Sequence, residues 1–250
     1  MRRAMIGIVL LSGLGTASAA PPTHFDSAKE DAIRLWWDIG PVSFYCECPY
    51  RPATRGEKRI RPGNLWVVGS VCGYEAHDPV YPSGRPNART MRIEWEHVVP
   101  REWIATGFGC QDASVSDCRE IDGFEEAESD LFNLVPAIGE LNGDRSARPY
   151  GVIPGEPREY GSCDFEVTTD GPASVPPHLR GTTEPMPSIR GDIARIWFYI
   201  EERYGVVIDS PLRARLEQWA SNDPVDERER RRHDRIADKM GWTNPFVAED

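Results

Sequence analysis

Apolar positions in this chain keep a helical rhythm near its start and through its last sixty residues, and a strand rhythm in its middle. Ala32, Ile33 and Trp36 fall on one side of a helix that Ser27-Ala28-Lys29-Glu30 would open as a capping box. That helix runs to about Asp38, with room for Ile39, before Gly40 and Pro41 stop it. From Val42 to Tyr81 the chain is aromatic and broken by glycine and proline, and Leu65–Gly69 is its clearest strand. Arg92–Val98 alternates as a second strand, with Ile93, Trp95 and His97 on one face and Glu94 and Glu96 on the other. Val98-Val99-Pro100 is its exit, because the residue before proline is pushed away from helical geometry. Glu125–Asp130 predicts a short acidic helix, and Pro136 suits a place at or just before the first turn of a helix through Ala137, Ile138, Leu141 and Asn142. The glycine- and proline-rich stretch from Pro149 to Pro187 reads as a long surface excursion pinned by Cys163. Three helices follow. Ile193, Ile196, Trp197 and Ile200 form the stripe of the first, which ends at Gly205; Ser210-Pro211 open the second, with Leu212, Leu216 and Trp219. Asp223-Pro224 open the third, which carries Ile236 and Met240 and stops at Gly241.

Arg2 and Arg3, the apolar run Ala4–Leu14 and the small residues Ala17-Ser18-Ala19 have the form of a secretory leader, residues 1–19, which leaves residues 20–250 as one domain. No later stretch approaches the roughly 20 apolar residues of a spanning helix, so the expectation is a soluble, exported protein. In an oxidising compartment its six cysteines should pair. Cys46-Glu47-Cys48 lacks the wider spacing and second pair of a zinc cluster. Cys110 and Cys118 bracket a short polar loop and are the expected local pair, which leaves Cys46 and Cys48 to bond Cys72 and Cys163. The net charge of −11 becomes −13 without Arg2 and Arg3. Such acidity serves solubility and counts against a broad basic face for nucleic acid. Two local strips remain: Arg51, Arg55, Lys58, Arg59 and Arg61, and Arg228 to Arg235, the second interleaved with Glu227, Glu229 and Asp234 as on a solvated helix.

The candidate chemistry lies at Glu94-Trp95-Glu96-His97-Val98-Val99-Pro100, with Asn133-Leu134-Val135-Pro136 and then Asn142 downstream. Phosphodiester hydrolysis needs a base for water, a cation against the phosphate charge, and ligands that leave the cation's shell partly open. His97 is the candidate base, since imidazole accepts a proton near neutral pH. Glu96 and Asn142 form a sparse oxygen site that suits magnesium, with manganese or calcium as alternatives. Taken singly, Glu96 reads as a strand-face charge and Asn142 as a helix cap before Gly143. Together they read as a site.

These strings, with Glu128–Leu134, Pro136–Ser146 and Arg190–Arg195, and shorter echoes at Phe44–Cys48, Cys72–Tyr74, Tyr160–Cys163 and Asn244–Val247, resemble the secreted and periplasmic endonuclease I group of ββα-metal, or His-Me finger, nucleases. The resemblance implies an α+β fold, mainly helical, a single disulfide-braced domain around a ββα-metal motif. It also implies a monomeric endonuclease without sequence preference, with no membrane association. Such an enzyme cuts double- and single-stranded DNA, and RNA, to 5′-phosphate ends. By resemblance His97 is the base, Glu96 and Asn142 hold the metal, Glu128 is a supporting carboxylate and Asn133 orders the His97 loop. The family's disulfides fit the cysteines here, save for two C-terminal cysteines missing together. One departure stands out: relatives carry an arginine shortly before the second cysteine of the Cys110–Cys118 loop, where it helps hold phosphate, and Ala113–Asp117 contains none. Either Arg101 or Arg119 replaces it, with Arg101 favoured, or transition-state stabilisation is weaker. Two rival readings keep the fold: a catalytically weak nucleic-acid-binding or interaction protein, and a small phosphoester hydrolase.

Overall fold

The computed structural model describes residues 20–53, 65–110, 118–155 and 157–248. The expected leader, part of the first basic strip and the Ala113–Asp117 stretch lie outside them. The described chain is α+β, with helices around three separate two-stranded antiparallel sheets.

Helix α1 (Phe25–Ile39) starts three residues earlier than the capping-box reading placed it. His24, not Ser27, is the cap: its Nδ1 accepts the Ser27 N–H, while the Ser27 hydroxyl accepts the N–H of His24. Ala28, Ala32 and Trp36 form its buried face, which packs on the C-terminal helix. Strands β1 (Tyr50–Pro52) and β2 (Leu65–Val67) pair, and the short helix α2 (Gly69–Cys72) follows.

The centre of the fold is strand β3 (Ile93–His97) paired antiparallel with β4 (Leu134–Ile138), the latter running directly into helix α5 (Gly139–Arg145). Helices α3 (Arg101–Gly107) and α4 (Phe124–Glu128) lie between the two strands in sequence. The expectation that Pro136 opens a helix is therefore wrong. Pro136 sits mid-strand opposite Trp95, and its carbonyl accepts the N–H of Phe44 at 2.7 Å. In a strand the N–H and C=O of one residue point the same way, so the nitrogen of Pro136 faces away from β3 and its missing proton costs the ladder nothing. The helix begins only at Gly139, where an added Cβ would meet Glu94 at 2.7 Å. At Gly143 it would meet Arg89 at 2.3 Å. Both glycines let the Arg89–Glu94 pair lie against α5.

The stretch from 149 to 187 is more structured than a surface excursion. It contains the hairpin of β5 (Phe165–Thr168) and β6 (Thr182–Pro185), and Tyr150, Tyr160 and Phe165 are buried. Three helices finish the chain: α6 (Arg190–Tyr204), α7 (Ser210–Asn222) and α8 (Glu227–Met240), with Gly205 and Gly241 as left-handed caps at the expected ends. The last starts after Asp226, which caps it, rather than at Asp223-Pro224. Trp197 of α6 is fully buried, edge-on to Trp103 of α3. Disulfides join Cys46 to Cys163, Cys48 to Cys72 and Cys110 to Cys118. No helix among the described residues is long and apolar enough to cross a membrane.

Candidate active site

The end of β3 is where the alternation of faces stops mattering. Glu96 and His97 point apart as strand neighbours should, yet both border one cleft of about 400 Å³, together with Phe25, Arg101, Arg119, Glu128, Asn142 and Arg145. The turn after His97 brings this about. Asn133 clamps it: Oδ1 accepts the N–H of Val99 at 2.7 Å, Nδ2 donates to the Val99 carbonyl at 3.0 Å, and the Asn133 carbonyl accepts the N–H of Val98. Arg145 closes it from the other side, donating to the carbonyls of His97 and Val98.

His97 Nε2 lies 2.7 Å from the backbone carbonyl of Glu128. A carbonyl can only accept, so Nε2 carries the proton and Nδ1 of the neutral ring keeps its lone pair. Burial pushes the imidazole below its usual 6.5, although the Glu128 carbonyl and carboxylate pull the other way. The ring also stacks on Phe25.

Glu96 is almost wholly buried. Its Oε1 accepts from Tyr45 at 3.1 Å and pairs with Arg145 Nη1 at 3.0 Å. Burial lifts its carboxyl to about 7, against the pull of Arg145 and the Tyr45 hydroxyl. Asn142, inside α5 rather than at its cap, donates Nδ2 to Glu94 Oε2 at 3.0 Å. Because a carboxylate accepts only, that bond fixes the amide's orientation and leaves Oδ1 as its remaining group. Glu94 is held in turn by Arg89 and Arg92. Glu96 Oε2 and Asn142 Oδ1 have no protein partner among the described residues. They are hard oxygen donors on one cleft, the kind that magnesium or calcium prefers. No cluster of three or more His, Cys, Asp or Glu side chains that could hold a metal exists among the described residues.

Arg101 and Arg119 meet at one carboxylate. Arg101 Nε stands 2.6 Å from Glu128 Oε1, and Arg119 Nε donates to Oε2 at 3.2 Å. Arg101 Nη2 is buried without a hydrogen-bond partner among the described residues.

Phe25 and Arg145 were not singled out from sequence. A phenylalanine ahead of the expected helix start carries no local signal. Arg145 does carry one, since it lies one turn beyond Asn142 and so faces the same way on α5.

Residues 37–250 match the family model described as Endonuclease I. The chain belongs to the endonuclease I family. It is 35% identical over 230 residues to an extracellular deoxyribonuclease of Aeromonas hydrophila, covering 90% of this chain and 91% of that protein. A periplasmic deoxyribonuclease of the same organism is 33% identical over 250 residues, 97% and 95% of the two chains. Endonuclease-1 of Buchnera aphidicola subsp. Acyrthosiphon pisum is 34% identical over 225 residues, 90% of this chain and 80% of that one. Family and relatives make this endonuclease I member an exported nuclease, periplasmic or secreted.

Proposed function

We propose that this protein is a magnesium-dependent endonuclease, indifferent to sequence, that hydrolyses phosphodiester bonds of DNA and of RNA to leave 5′-phosphate ends. The observation that carries the reading is the free Nδ1 of His97 on the same cleft as Glu96 and Asn142. The pairing of β3 with β4 and the direct run of β4 into α5, with the base at the end of one element and the amide ligand on another, support assignment to the ββα-metal class. The relatives named deoxyribonucleases support DNA as substrate.

In this mechanism His97 Nδ1 takes a proton from water as the water oxygen bonds to phosphorus and the bond to the 3′-oxygen breaks, and that oxygen takes a proton from solvent to leave as the 3′-hydroxyl end. The Glu128 carbonyl holds the imidazole through Nε2, and Asn133 fixes the backbone that carries it. Glu96 Oε2 and Asn142 Oδ1 would hold magnesium, which when bound neutralises charge on the phosphate. Arg101 and Arg119, released in part from Glu128, meet the non-bridging phosphate oxygens. The test is incubation of mature protein with supercoiled plasmid, with and without magnesium. Magnesium-dependent nicking followed by linearisation is expected; an intact plasmid under both conditions would remove the reading.

A further inference from the structure

One hydrogen bond from Nε2 leaves an imidazole free to rock about that contact, because the torsion carrying a histidine ring is broad and soft. A second hold comes from α1. Phe25, its first residue, stacks on the His97 ring with centroids 5.0 Å apart and planes 30° apart. Phe25 is itself fixed. The reciprocal His24–Ser27 cap sets the first turn, and the completely buried Ala28 seats it on the core. Lys29 Nζ lies 4.8 Å from the Phe25 ring centroid and is tethered to Asp26 at 2.6 Å. The Endonuclease I match begins at residue 37, so this ring comes from a segment outside the matched stretch.

We propose that Phe25 is a positioning residue of this nuclease, whose ring holds the His97 imidazole so that Nδ1 stays aimed into the cleft. The proposal rests on the reading of His97 as the base. Phe25 stacks on the base, so on this reading its removal acts on the chemical step. A misplacement of about 1 Å at a reacting group costs on the order of 10²-fold in rate. An aromatic ring beside a nuclease cleft could instead stack on a substrate base. That role predicts weaker binding with an unchanged saturated rate.

The experiment compares wild type with Phe25→Ala, Phe25→Leu and Phe25→Tyr on a short DNA duplex in magnesium. It measures the single-turnover rate at saturation, the half-saturating duplex concentration, and the ¹⁵N shifts of the His97 ring. Phe25→Ala is expected to lower the saturated rate roughly 10- to 100-fold with little change in half-saturation. It should also blur the preference for the Nε2–H tautomer, and Phe25→Tyr should restore both. Phe25→Leu keeps apolar bulk without a ring and carries the same comparison should the alanine variant fold poorly. A saturated rate equal to wild type in the ring-less variants, or a loss confined to binding, overturns the proposal. Full activity in His97→Ala would instead remove the base assignment, and this inference with it.

Discussion

His97 Nε2 stands 2.7 Å from the backbone carbonyl of Glu128, and that contact decides which ring nitrogen is left to act. Replacement of His97 by alanine removes the proton acceptor while leaving Glu96 and Asn142 in place. Plasmid nicking should fall by about 10² to 10⁴-fold or more, with a near-native circular dichroism spectrum. Near-wild-type nicking would exclude His97 from the mechanism.

The same residue sets the acid limb of activity. Only neutral imidazole accepts a proton, so activity falls as pH drops through the His97 pKa. Burial lowers that pKa from 6.5, so the ring stays neutral to lower pH than a free histidine. The profile of kcat/KM should therefore bend below pH 6.5. A bend at or above that value would mean that another group titrates or that the imidazole is not buried in solution.

Chelation should abolish cleavage and magnesium should restore it. Glu96→Gln and Asn142→Ala should each move half-activation to much higher magnesium, since two protein ligands leave little redundancy. Glu94→Ala should do so as well, because Glu94 fixes the orientation of the Asn142 amide; losses from such supporting groups run to roughly 10- to 100-fold in metal affinity. A magnesium titration of the three variants that overlays wild type would place the metal elsewhere.

How much of this was legible follows from how local each signal is. Glu96, His97 and Asn142 could be picked out because a carboxylate, an imidazole and an amide stand in short strings whose types suit one reaction. The C-terminal helices were readable from apolar stripes and from Gly205 and Gly241, which need only local geometry. Pro136 was misread because proline at a helix start is a local preference, whereas its tolerance in β4 depends on Phe44, a residue 92 positions away. Histidine is an uncommon cap, so His24 hid the true start of α1. For Arg145 the sequence offers only its place one turn beyond Asn142 on the same face of α5. Its burial under Tyr150 and against Glu96 is purely tertiary.

Asn133 offers a stability test of the loop that carries the base. Its side chain satisfies both the N–H and the C=O of Val99, which is completely buried. Asn133→Ala leaves those groups unpaired, at roughly 1–3 kcal/mol each. Urea unfolding should report a loss of roughly 2–6 kcal/mol for the two groups together, alongside a fall in nuclease rate. A variant as stable as wild type would show that water replaces the amide.

The two arginines that share Glu128 make separable predictions. Arg101 is the more sheltered, its side chain 20% exposed against 43% for Arg119, and its Nη2 is buried with no hydrogen-bond partner among the described residues. It therefore has a donor to give in a site where solvent screens little, which is where a cation stabilises developing phosphate charge most. Arg119 spends its donors on Glu128 and faces water, the situation of a residue that gathers substrate rather than one that lowers the barrier. Arg101→Ala should reduce the saturated single-turnover rate by more than its half-saturation changes. Arg119→Ala should mainly weaken binding and lower the salt slope of affinity by about one unit. Single-turnover rates and salt titrations on the two variants separate these roles: equal and unchanged saturated rates in both would mean that neither arginine serves the transition state, and that the charge there is met by the metal alone.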